Sequence, residues 1–204
     1  MNASENKLRA VRFERPDWIP MSFHINPSCW NHYPHDALQE LMTSHPLLFP
    51  DFERKSKVDP HFGLAQKKDE PYTDFWGCTW STTIDGITGT VTGHVLADWE
   101  SLERFTPPSP ETSDGFAPLD WTHLADRLQK ANRDGHVVSV SLTHGHTFMR
   151  LCDLRGYENL IMDMADEEPR LNRLIEMVEA FNLALVGAMS VGARLTIVPT
   201  PAGV

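Results

Sequence analysis

The chain has 204 residues, with 18 Lys or Arg against 28 Asp or Glu, so its formal charge at pH 7 is −10. With 41% hydrophobic and 23% charged residues, the composition is typical of a globular protein and argues against a disordered chain. The acidic balance argues against binding to nucleic acid or to an anionic membrane surface, because both need a positive field. No run of about 18 apolar residues is present, which argues against a transmembrane helix.

The cysteines and the start of the chain indicate a cellular location. Cys29, Cys78 and Cys152 are odd in number and far apart, which is typical of free thiols in a reducing compartment. The first residues lack the charged and apolar regions of a signal peptide. We therefore expect a cytoplasmic protein, and the length favours a single domain over residues 1–204.

The first half of the chain predicts two helices, a strand and a hairpin. Apolar residues at helical spacing predict helices over residues 5–13 and 34–44. The apolar run at 18–25 has the length of a strand, and its proline limits it to the start or edge of a sheet. An Asp-Gly pair between β-branched residues predicts a β-hairpin over 79–91.

The second half alternates more regularly between helices and strands. A proline- and serine-rich loop is expected at 106–118. Apolar periodicity and capping signals predict helices at 98–105, 120–132, 147–153, 158–165 and 169–189, and β-branched runs predict strands at 137–142 and 195–198. This alternation is typical of βα units, so we expect an α/β fold with a parallel sheet or barrel.

Histidines follow two of the predicted strands. His24 and Asn26 come after the first strand, and His144 and His146 come after the strand at 137–142. In parallel βα folds the functional residues lie at the carboxyl ends of the strands, where a histidine can be an acid, a base or a metal ligand. A hydrogen-bonded loop histidine is the more common alternative. Two neighbouring histidines without a third ligand predict no metal site in this chain.

Asp74 lies in a cluster of aromatic residues at positions 72–80. A carboxyl group in such a place could donate or accept a proton. Alternatively, Asp74 caps a turn while Trp76 and Trp80 cover the core, and the residues alone favour this alternative. Trp30, in the segment 26–30 that is rich in proline and aromatic residues, could line a ligand pocket or simply pack a loop.

Four stretches together resemble the uroporphyrinogen decarboxylase superfamily. They are residues 15–21 (RPDWIPM), 73–78 (TDFWGC), 96–102 (LADWESL) and 148–192, the last beginning FMRLCDLRGYENL. The resemblance covers nearly the whole chain, up to about residue 193, and implies a (β/α)₈ TIM barrel. Because such a barrel takes about 250 residues, it also implies that the chain is the N-terminal part of the barrel, truncated at its C-terminus.

The superfamily's better-known activities imply a function and a set of site residues. One group decarboxylates the acetate side chains of uroporphyrinogen without a cofactor, so the resemblance implies a carboxy-lyase acting on a small carboxylated molecule of the tetrapyrrole type. Asp74 is then the first candidate for the proton donor and His24 the second. The expected pocket residues are Asn26, Trp30, His144, His146 and Cys152, and Cys152 stands where the family has a tyrosine.

Two alternatives to a decarboxylase remain open. The decarboxylases carry substrate-binding arginines after the first strand, whereas residues 24–30 contain none. The second group of the superfamily comprises methyltransferases that use zinc and a corrinoid protein, neither of which this chain would hold by itself. The third possibility is a non-catalytic half barrel whose exposed edges pair with another copy or with a complementary chain.

Overall fold

Three helices form the N-terminal part of the computed structural model, which describes residues 3–21, 23–50, 52–135 and 140–190. They are α1 (Ala3–Val11), α2 (Pro27–His32) and α3 (His35–Ser44). Helices α1 and α3 confirm the predicted helices at 5–13 and 34–44, with α1 shifted by two residues. Helix α2 begins at a proline after Asn26, whose side chain accepts a hydrogen bond from the Ser28 backbone N–H at 2.9 Å.

The strand predicted over 18–25 is wrong for the residues that are described there. Residues 18–21 and 23–25 belong to no strand. At the start of this run, the fully buried side chain of Asn6 donates to the Trp18 carbonyl at 2.8 Å and accepts from the Asp17 N–H at 2.7 Å. Helix α1 therefore satisfies the backbone groups at the start of this run, which a strand would pair with a neighbouring strand.

A small antiparallel sheet follows in the middle of the chain. Its strands are β1 (Tyr72–Thr73), β2 (Thr79–Ser81) and β3 (Thr90–Gly93), paired in the order β1-β2-β3. The hairpin predicted over 79–91 is confirmed as β2 and β3, with Trp80 opposite Val91. The Asp-Gly pair lies within the connecting residues 82–89.

Helices dominate the second half of the described chain. A 3₁₀ helix (Glu100–Glu103) precedes α4 (Trp121–Arg133), α5 (Phe148–Arg155), α6 (Tyr157–Ala165) and α7 (Pro169–Ser190). The helices predicted at 120–132, 147–153, 158–165 and 169–189 are thereby confirmed. At 98–105 the helix is shorter than predicted and of the 3₁₀ type. Gly156, with φ +84°, lets α6 begin directly after α5 ends.

The hydrophobic core lies between the sheet, the 3₁₀ helix and helices α5, α6 and α7. One stripe of α7 faces it, consisting of Leu171, Leu174, Val178, Phe181, Leu185 and Met189. The predicted strand at 195–198 and residues 137–139 lie outside the described residues, and residues 140–142 belong to no strand. Every strand pair in the described part is antiparallel, and the parallel barrel stays a prediction.

Gly86 joins the hairpin connection to the start of α2, and its replacement by alanine should destabilise the fold. Its φ is +82°, and a Cβ atom would overlap the backbone of Pro27 and Ser28. We expect Gly86→Ala to lower the free energy of unfolding by about 3 kcal/mol, as measured by urea denaturation.

Gly135→Ala is the matched control, because Gly135 has a similar φ of +70° but no described atom lies within 4 Å of its Cβ position. Gly135→Ala should lower the free energy of unfolding by only about 1 kcal/mol. Equal losses in the two variants would show that the contact with α2 is unimportant.

Candidate functional site

A buried ion pair joins helix α5 to the turn after β1. Arg150 Nη1 lies 2.7 Å from Asp74 Oδ2, and the two side chains are 4% and 0% exposed. The same oxygen accepts from Trp80 Nε1 at 3.0 Å, and Oδ1 accepts from the Cys78 backbone N–H at 2.8 Å. Protein donors therefore bind both carboxylate oxygens of Asp74, and no part of this side chain is open to a substrate.

A second buried ion pair joins the other end of α5 to α6. Arg155 Nε donates to Asp163 Oδ2 at 2.6 Å, and Trp99 Nε1 donates to Asp163 Oδ1 at 3.1 Å. The guanidinium of Arg155 lies 4.5 Å from the centre of the Trp99 ring and donates to the Leu96 carbonyl at 2.9 Å. These contacts hold the segment that contains Leu96 and Trp99 against α5 and α6.

Asp153 lies between Arg150 and Arg155 in the sequence of α5, and its carboxyl group is partly open. Its side chain is 14% exposed, and Oδ2 lies 3.8 Å from Arg150 Nη1. Burial is the largest cause that raises the pKa of Asp153, and the negative charge of Asp74 raises it further. Arg150, and to a smaller extent His94 and His144, lower this pKa. The net result is a carboxyl group that holds its proton at higher pH than an ordinary aspartate.

The backbone carbonyl of Asp153 is fixed by two side chains. His94 Nδ1 lies 2.8 Å from this oxygen, and Cys78 Sγ donates to it at 3.3 Å. Because a carbonyl oxygen only accepts, His94 carries a proton on Nδ1. Burial, with a contribution from Asp74, raises the pKa of Cys78 to about 12. This thiol therefore acts as a hydrogen-bond donor and is a poor nucleophile.

Three of the predicted site residues lie on or just before α5. His144 is exposed and lowers the pKa of Asp153 electrostatically. His146 is partly buried, and its Nδ1 has no hydrogen-bond partner among the described residues. Cys152 is buried within the hydrophobic core, and burial raises its pKa. Of the predicted site residues, Asp74 lies close to Asp153, because both contact Arg150 Nη1.

The other predicted site residues lie in the N-terminal part. His24 is exposed, and Asn26 caps α2. Trp30 lines a cavity of about 550 Å³, which Gln39 and Phe52 also line. Within the described ranges, no hydrogen bond joins these residues to Asp74.

Arg150, Asp153 and His94 are functional candidates that sequence reasoning missed. Arg150 and Asp153 are three residues apart, which places them on one side of a helix. That spacing was a usable signal. His94 offered none, because it is 59 residues away from Asp153 and meets it only through the fold.

Comparison with known proteins adds no information about this site. No protein-family model matches the chain, and no curated protein or solved structure matches it. Among residues 3–21, 23–50, 52–135 and 140–190, no three His, Cys, Asp or Glu side chains are grouped to hold a metal ion. No helix in the same ranges is long and apolar enough to cross a membrane.

A double-mutant cycle should show strong coupling between Asp74 and Arg150. Asp74→Asn and Arg150→Met each leave a buried partner without its counter-charge, so each should cost about 3–5 kcal/mol of unfolding free energy. The double variant should lose clearly less unfolding free energy than the sum of the losses of the two single variants. Guanidinium denaturation of the four proteins measures the coupling.

The exposed pair Arg54–Asp36 provides the matched control for this cycle. Its side chains are 48% and 88% exposed and lie 3.2 Å apart. The cycle of Arg54→Met and Asp36→Asn should give a coupling below about 1 kcal/mol. Similar coupling in both cycles would contradict the importance of burial for Asp74 and Arg150.

Asp153→Asn should gain stability relative to the wild type as the pH rises. The raised pKa of Asp153 means that its contribution to stability is complete below the ordinary value of 3.8 and is lost as pH rises through the folded value. The asparagine variant cannot lose this contribution. Unfolding free energies of both proteins, measured from acidic to neutral pH, give the difference. A difference that does not change with pH would contradict the raised pKa.

Proposed function

We propose that the chain has the carboxy-lyase chemistry of the uroporphyrinogen decarboxylase superfamily, and that it acts on a small carboxylated molecule of the tetrapyrrole type. The observation that carries this proposal is the partly open carboxyl group of Asp153, which lies 3.8 Å from Arg150 Nη1 and whose pKa is raised by burial. These are the properties that a general acid needs.

The proposed reaction needs a proton at the carbon that loses its carboxylate. The bond between that carbon and the carboxylate breaks, CO₂ leaves, and the electron pair stays on the carbon. Protonated Asp153 donates its proton to this carbon, and solvent returns a proton to Asp153 afterwards. The exposed imidazole of His144 supplies a hydrogen bond to a further carboxylate of the substrate.

In this proposal Asp74 is a positioning residue. Sequence reasoning made it the first candidate for the proton donor, but its carboxylate is 0% exposed and binds Arg150, Trp80 and a backbone N–H. Asp74 holds Arg150, which lies beside Asp153, and its negative charge raises the pKa of Asp153. It therefore acts on the proton donor through electrostatics.

Buried contacts between the segments that resemble the superfamily support this choice of chemistry. Asp74, in the segment 73–78, binds Arg150 in the segment 148–192. Trp99, in the segment 96–102, binds Asp163 in that same last segment.

We include in the proposal the (β/α)₈ barrel as the fold and the cytoplasm as the location. Free cysteines are consistent with this location.

Release of CO₂ from uroporphyrinogen by the purified chain tests the proposal. We expect Asp153→Asn to lower the rate by about 10²–10⁴-fold, the usual contribution of a general acid, and Asp153→Glu to restore part of it. Asp126→Asn, at an exposed position on α4, is the matched control and should leave the rate unchanged. Absence of CO₂ release by the wild type, or an unchanged rate for Asp153→Asn, would overturn the proposal.

The pH profile separates a positioning role of Asp74 from a purely structural one. The negative charge of Asp74 raises the pKa of Asp153, so removing that charge should lower this pKa. Asp74→Asn should therefore shift the basic limb of the rate profile to lower pH, in addition to any loss of folded protein. A profile that only falls in amplitude would return Asp74 to a structural role.

A further inference from the structure

The cavity of about 550 Å³ beside helices α2 and α3 lies outside the proposed proton-donor site. The described residues that line it include Trp30 on α2 and Gln39 and Met42 on α3, but neither Asp153 nor His144. We call this space the α3 cavity. Its volume falls within the range of about 300–1,000 Å³ that is usual for sites that bind small molecules.

Hydrogen bonds and ion pairs hold the walls of the α3 cavity in place. His35 Nε2, at the start of α3, lies 2.6 Å from the Trp30 carbonyl oxygen, and the two rings pack edge to face. The segment that follows α3 returns to it, because the Lys55 N–H donates to Gln39 Oε1 at 2.7 Å and Arg54 pairs with two acidic residues of α3. The cavity is therefore formed before a ligand enters, and binding loses less conformational entropy.

Gln39 brings one free hydrogen-bond donor to this cavity. The residue is only 3% exposed, and its amide orientation is determined because Oε1 accepts from the Lys55 N–H. Gln39 Nε2 has no hydrogen-bond partner in the part of the chain that the structure describes. Among the same residues, the only fully sealed side-chain nitrogen or oxygen without a partner is His146 Nδ1. Gln39 Nε2 therefore still reaches open space, and the α3 cavity is the space that Gln39 lines.

The walls around this donor are mostly apolar. Trp30, Met42 and Phe52 are partly buried, and Ile25 and Val58 complete this apolar lining. Two of the five side chains are aromatic, and aromatic rings pack well against a further ring. The cavity thus offers a ligand an apolar surface with one amide donor in it, which favours an apolar molecule that carries a hydrogen-bond acceptor.

The charged residues of the α3 cavity favour a neutral ligand. Glu53 and Asp59 are acidic, Lys55 is basic, and His61 adds a group that can be protonated. All four residues are exposed, so their charges are of both signs and remain in water. None of the described lining residues is both charged and buried. A charged group inside the cavity would therefore lose its hydration without a counter-charge.

We propose that the α3 cavity binds a neutral aromatic molecule that carries a carbonyl group. The rings of this ligand pack against Trp30, Met42 and Phe52, and its carbonyl oxygen accepts a hydrogen bond from Gln39 Nε2. A carbonyl oxygen only accepts, so it satisfies the free donor without bringing a second donor into an apolar space. This ligand differs in charge from the carboxylated substrate of the proposed reaction, and its binding is measured without any turnover.

Equilibrium dialysis of the full chain with three naphthalene compounds tests this site. Acetylnaphthalene carries the carbonyl group, isopropylnaphthalene has an apolar group in its place, and naphthoate has a charged one. All three have the same number of non-hydrogen atoms when they are substituted at the same ring position. We expect saturable binding of the ketone at one site per chain, and binding of naphthoate that is weaker by about tenfold or more.

Gln39→Glu tests the hydrogen bond to the ligand. Its carboxylate still accepts from the Lys55 N–H, which keeps the segment after α3 in place, but it has no donor for a carbonyl oxygen. The affinity for acetylnaphthalene should fall by about 3–10-fold, the usual effect of one hydrogen bond. The affinity for isopropylnaphthalene should change less, and an equal loss for both compounds would contradict the role of Gln39.

Filling the cavity gives a second test that does not depend on Gln39. Met42→Trp should weaken binding of both neutral compounds by about tenfold or more, because the larger side chain occupies the space. Leu41→Trp is the matched control, since Leu41 lies on the same helix, is 45% exposed and is not among the described lining residues. It should leave both affinities unchanged, and circular dichroism should show equal helix content.

Three outcomes would each overturn the proposal. The first is the absence of saturable binding of acetylnaphthalene by the wild type. The second is binding of naphthoate as tight as that of the ketone, which would show that the cavity selects an anion. The third is an equal effect of Met42→Trp and Leu41→Trp, which would place the binding outside the α3 cavity.

Discussion

The buried pair of Asp74 and Arg150 determines the position of helix α5, on which the rest of the site depends. A carboxylate and a guanidinium group that have both left water are tolerated only while they remain paired. Asp74 also accepts hydrogen bonds from Trp80 Nε1 and the Cys78 N–H, which hold the turn after β1 against β2. This pair therefore sets the distance between the small sheet and α5.

Helix α5 distributes its charged residues in different directions. Arg150 faces the sheet, and Arg155, five residues later, binds Asp163 on α6 and the carbonyl of Leu96. Asp153 follows Arg150 by nearly one turn, so it remains within 3.8 Å of that guanidinium but reaches the solvent. A single short helix thus joins the sheet, the 96–99 segment and α6, and one of its carboxyl groups, that of Asp153, stays partly exposed.

The sequence predicted the parts of the fold that depend on local signals. The apolar faces of α4 and α7 are such signals, and both helices are where they were expected. The strand predicted at 18–25 is wrong, and at its first residue the backbone is bound by Asn6, which is 12 residues earlier. The site was harder to predict for the same reason. Asp74 was found, but its partner Arg150 is 76 residues away and no local pattern joins them.

The two carboxylates near Arg150 have different roles because they share its charge unequally. Asp74 Oδ2 lies 2.7 Å from Arg150 Nη1, whereas Asp153 Oδ2 lies 3.8 Å from the same atom. The guanidinium therefore attracts Asp74 more strongly. Arg150 by itself lowers the pKa of Asp153, as an opposite charge nearby does. With Asp74 in place, the negative charge of Asp74 opposes the effect of Arg150, and burial of Asp153 decides the direction of its pKa. Burial is thus the main reason that the partly exposed carboxyl group of Asp153 keeps its proton to higher pH, and the charge of Asp74 adds to this effect.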